Sequence, residues 1–78
     1  MIQTIKTDTR DYRVHPRRRD NTLLILEHCA INRVPVARWQ TEPLPNDEFN
    51  AWLHWYKGED DILMLLASDR VRRIDDDE

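Results

Sequence analysis

Seventy-eight residues, 40% hydrophobic and 35% charged, describe one globular domain with a heavily charged surface, at a size where a single core supplies only ~3–5 kcal/mol without extra staples. A single cysteine excludes an intramolecular disulfide, no apolar run reaches the ~18 residues of a membrane span, and the polar start Met-Ile-Gln-Thr-Ile-Lys is unlike a signal peptide. A soluble cytoplasmic protein without membrane contact is therefore expected.

The net charge of −3 conceals an asymmetry. Residues 1–40 carry eight Lys/Arg against four Asp/Glu, whereas residues 41–78 carry four against eleven. Halves of opposite sign can join copies head to tail or dock an N-terminal arm onto its own domain.

Residues 1–19 lack helical periodicity and hold His15-Pro16, where the proline ring drives the preceding residue toward extended backbone. They read as a flexible or extended arm ending in the basic run Arg17, Arg18 and Arg19. Asp20 or Asn21 can cap a helix over Leu23-Leu24-Ile25-Leu26-Glu27-His28-Cys29-Ala30-Ile31. A strand is the alternative for so short an apolar run; length and the Asp/Asn start favour helix. Pro35 suits the first position of a short second helix through Gln40, and Pro43 and Pro45 prevent its continuation.

The strongest signal is Asn46–Gly58. Phe49, Trp52, Leu53 and Tyr56 recur at helical spacing, Asn46 is placed to cap, and Asp47 and Glu48 complement the dipole. Gly58 suits a left-handed position after the helix. A fourth helix starts at Glu59-Asp60-Asp61, with Ile62, Leu65 and Leu66 on one side and Arg70, Arg72 and Arg73 at its end. The expectation is all-α: a compact bundle of about four short helices over residues 20–74, an extended arm at 1–19 and an acidic tail at 75–78. Leu23, Leu26, Phe49, Trp52, Tyr56, Ile62 and Leu66 form the expected core, with Trp39 and Tyr56 reaching its edge.

Nothing in this pattern is a catalytic signature. His28 and Cys29 are adjacent and diverge on a helix, and Cys29 in an apolar run reads as an inert core thiol. His15, His28, Cys29 and His54 match no zinc spacing, and one glycine excludes a glycine-rich phosphate cradle. Glu59-Asp60-Asp61 lacks the spacing and the glycine of a calcium loop. The chain is expected to be no enzyme and to need no cofactor or metal.

Two constellations point to binding. Cys29 to Gln40 has the pattern of a helix-turn-helix core within residues 23–40. Arg33 and Arg38 would then approach DNA while Arg17, Arg18 and Arg19 grip phosphates; the acidic second half opposes this reading. The other is Pro35-x-x-x-Trp39, then Glu48-Phe49-x-x-Trp52-x-x-x-Tyr56, then Asp61-Ile62-Leu63. It resembles the short, frameshift-encoded helical module of the tail assembly chaperones of lambda-like tailed phages, over about residues 23–66. The resemblance implies a phage assembly or accessory factor in a host cytoplasm whose partner is a tail protein or a host factor, with Glu48, Phe49, Trp52 and Tyr56 structural. The chain departs from that family in carrying its own Met and a basic arm where the module usually follows a longer domain. Independently, Trp55 lies off the Phe49–Tyr56 face, and with His54 and Trp39 offers an aromatic anchor for a protein partner. Non-catalytic protein binding is the function expected, with a small helix-turn-helix DNA-binding protein as the alternative.

Overall fold

A computed structural model of the chain describes residues 2–55 and 58–74. It is built on an antiparallel sheet in which each strand neighbours the next: β1 (Gln3–Lys6), β2 (Arg10–Arg17), β3 (Thr22–Cys29), β4 (Pro35–Thr41) and β5 (Val71–Arg73). Two helices, α1 (Asn46–His54) and α2 (Glu59–Ala67), are inserted between β4 and β5.

The all-α expectation is thereby corrected. The expected N-terminal arm is two paired strands, and the two helices expected over residues 23–40 are a β-hairpin, so there is no helix-turn-helix. The physical reason lies in the run Leu23-Leu24-Ile25-Leu26. Successive side chains of a strand point to opposite faces, so an apolar run with no gap suits a central strand, here paired on both edges with β2 and β4, that sets apolar side chains on both faces of the sheet. Leu23 and Ile25 are fully buried under the helices, and Leu24 and Leu26 are half-buried on the other face. Pro16 is accommodated because β1 ends opposite Val14, which leaves β2 without a described neighbour on that side.

The two helices of the second half are where the periodicity places them. Phe49, Trp52 and Leu53 of α1 and Ile62 and Leu65 of α2 are buried with Ile5, Tyr12, Val14, Leu23, Ile25 and Leu44 in one core. Leu66 packs at its edge, and Leu26 is not part of it. Details of the ends differ from expectation. Pro45, not Asn46, precedes α1, and no side chain caps it. Gly58 has φ −99° and opens α2, where its N–H donates to Asp61 Oδ2 at 3.2 Å, so no left-handed glycine is needed. Tyr56 and the acidic tail 75–78 lie outside the described residues.

Polar ties fasten the helical layer to the sheet at three points. Gln3 Nε2 donates to the carbonyls of Trp52 and Leu53 at 2.9 and 3.1 Å. Asn21 Nδ2 donates to Leu44 O and Asn46 Oδ1. Arg70, in the turn before β5, pairs with Glu48 of α1 and lies 3.9 Å from Glu42. Helix α2 approaches both edge strands, β1 and β5, so the sheet curls around the helical layer and turns its other face outward.

Candidate functional site

Strand register defines the outward face. In one rung Thr4, Arg13, Leu26 and Arg38 stand side by side across β1 to β4. In the next, His15, Leu24, Gln40 and Arg72 cross β2 to β5. The rung between them, Gln3, Val14, Ile25, Trp39 and Arg73, belongs to the helix-covered side, where Val14 and Ile25 are fully buried. By the same alternation Lys6, Asp11 and Arg17 face outward.

Five cations and one carboxylate therefore surround two half-buried leucines on a face that no described element covers. Long basic side chains lay their methylene stems along such apolar positions and keep their charge in water. His15 lies among them with its Nε2 buried and unpartnered. Burial, reinforced by Arg13 and Arg17, holds its imidazole below the usual pKa, so the neutral form is favoured.

The other nitrogen- and sulfur-bearing groups do not converge. Cys29 ends β3 opposite Arg10, and His15 is five residues along β2, about 17 Å away at strand rise. Cys29 is not the core thiol expected: its sulfur faces the β3–β4 turn, where the N–H groups of Asn32 and Ile31 hold its pKa below the usual thiol range. Among the described residues no group of three His, Cys, Asp or Glu is placed to hold a metal ion, and no helix is long and apolar enough to cross a membrane.

The expected contact residues divide. Trp55 is 77% exposed at the end of α1, beside exposed His54. Trp39 is turned into the helix-covered side, where its Nε1 donates to Glu27 Oε1 at 2.9 Å. Arg17, Arg18 and Arg19 run from the end of β2 into its turn, and Arg38 stands on the outward face. Arg33 is at the far tip of the β3–β4 hairpin with φ 64°, away from that cluster.

Sequence reasoning missed Arg13, His15, Leu24, Gln40 and Arg72 as neighbours. The period-two alternation Tyr12-Arg13-Val14-His15 was the available signal, masked by Pro16 and the arginine run. It also missed Glu27, a buried carboxylate that accepts from Trp39 and from Arg10 Nε at 3.1 Å and hydrogen-bonds Tyr12. With every partner internal, that cluster joins β2, β3 and β4 and is structural. No family model matches this chain, and no curated protein or solved structure is detectably similar to it.

Proposed function

We propose that this chain is a non-catalytic protein-binding factor that docks an acidic partner on the outward face of its sheet. The observation that carries the reading is the pair Leu24 and Leu26 set among Lys6, Arg13, Arg17, Arg38 and Arg72 on that uncovered face. An apolar centre with a charged rim is the anatomy of a protein interface, and a field of one sign speeds encounter with a partner of the other. Single-stranded nucleic acid is less well served, because sheets that bind it stack bases on aromatic side chains. The aromatics of β2 and β4, Tyr12 and Trp39, point the other way.

The test is titration of ¹⁵N-labelled protein with an acidic amphipathic peptide of alternating Glu and Leu, beside a mixed-sequence DNA duplex. Shift changes confined to the outward rungs, weakened at least about tenfold by Arg13→Glu, are expected. Peptide binding elsewhere, or none, overturns the reading. Saturable duplex binding with a steep salt slope would make the cations phosphate contacts instead.

A further inference from the structure

We propose that the acidic partner is a second copy of this chain, so that the outward sheet face of one molecule receives the helical layer of the next. This rests on the docking role just given to that face and names its ligand.

The charge complementarity is within one molecule. Because α1 and α2 bury Phe49, Trp52, Leu53, Ile62 and Leu65 against the sheet, their remaining sides face away from it. Asp47, Glu59 and Asp60 in their first turns are exposed, and Glu48 and Asp61 are half-buried beside a cleft that both helices line. The sheet bears cations on one side of the molecule and the helices bear carboxylates on the opposite side.

The helical side also has a receptacle. A cleft of about 300 Å³ is lined by Glu48, Trp52, Asp61, Met64 and Leu65 of the two helices together with Ser68 and Arg70. Arg70 is engaged by Glu48, whereas Asp61 Oδ2 accepts from the Gly58 N–H. A carboxylate beside the apolar Trp52, Leu65 and Met64 matches an arginine side chain, whose stem packs on apolar groups and whose guanidinium meets the acid. Arg13, exposed at the centre of the outward face beside Leu26, has that chemistry.

Apolar area is matched too. Met64, 75% exposed, with Leu63 and Trp55 supplies the surface to meet Leu24 and Leu26. A molecule measuring 35 × 31 × 23 Å has faces large enough for the ~800 Å² per partner of a standard interface. Two different faces cannot pair by a two-fold axis, so the contact is heterologous and extends into open stacks or rings.

The test uses the full chain in sedimentation velocity across a concentration series at low and high salt. Two charge-reversed variants, R13E/R72E on the sheet and D60K/D61K on the helices, are run alone and mixed, with circular dichroism confirming that each folds. The expected result is mass that rises with concentration at low salt, falls to monomer at high salt, and weakens at least about tenfold in either variant alone. Mixing restores it, because the unaltered sheet of the D60K/D61K variant then meets the unaltered helices of the R13E/R72E variant. A wild-type chain that stays monomeric at low salt, or a mixture that fails to reassociate, overturns the proposal. If the acidic peptide still binds the sheet of that monomer, only self-stacking falls; if it does not, the docking role falls with it.

Discussion

Glu27 shows how one residue organises its surroundings. A carboxylate this buried is tolerable only with partners, and Trp39, Arg10 and Tyr12 supply them from both neighbouring strands. Burial first, then the Glu27 charge, raises the Tyr12 pKa above its usual 10. A group whose folded pKa is raised contributes stability that is complete below the unfolded value and is lost as pH rises past it. Stability should therefore decline from about pH 10 upward, where the unfolded chain ionises first. In Tyr12→Phe, denaturant melts at pH 7 should show a loss of about 1 kcal/mol for the missing hydrogen bond, and the gap from wild type should narrow above pH 10. A gap independent of pH would mean that Tyr12 does not titrate differently on folding. None of this was legible from residue types: Trp39 and Glu27 are twelve positions apart, and only the β3–β4 register brings them together.

At the scale of elements, legibility followed the kind of signal. For α1 and α2 the helical spacing of Phe49, Trp52 and Leu53, and of Ile62 and Leu65, is reinforced by acidic first turns, and those helices stand where expected. For β3 the decisive information is non-local. Leu23 to Leu26 has no periodicity of its own, and whether it coils or extends depends on having β2 and β4 to pair with, which a local reading does not see. The basic arm failed likewise, since Ile5 and Tyr12 become core residues only once their strands pair across Thr7–Thr9. Asn21 is the joint between these two kinds of element. It sits at φ 58° in the β2–β3 turn, its O accepts from Leu44 N at 2.8 Å, and its side chain holds Leu44 ahead of α1 and Asn46 at that helix's first residue. Replacement by alanine places a Cβ in the left-handed region without the local bonds that favour Asn there, at a cost of roughly 1–2 kcal/mol, and removes about 1 kcal/mol of hydrogen bonding. Asn21→Gly keeps the backbone and loses only the side chain. Chemical denaturation should rank wild type above N21G and N21G above N21A; equal losses would place the effect in the side chain alone.

At the scale of the whole molecule, the described residues of the two layers share one core. Ile5, Tyr12, Val14, Leu23 and Ile25 of the sheet pack with Leu44 and with the buried residues of both helices in that core, with Trp39, Leu66 and Val71 against it. Sheet connections among β1 to β4 are local hairpins, while β5 joins β4 across the segment that holds both helices, so the last rungs close a loop of some thirty residues against the entropy of that closure. Such an arrangement should unfold as a unit. Far-ultraviolet circular dichroism at helix and sheet wavelengths and the near-ultraviolet signal of its tryptophans, which stand in both layers, should therefore share one midpoint. Trp52 sits 3% exposed between the layers, and truncation of a buried Trp costs ~3–5 kcal/mol, comparable with the stability of so small a domain. Trp52→Ala should shift all the signals together or leave the chain unfolded from the outset. A variant in which the helical signal is lost while the sheet signal melts at the wild-type midpoint would show that the five strands hold without their cover, and the packing drawn from Trp52, Ile62 and Leu65 would not be what stabilises them.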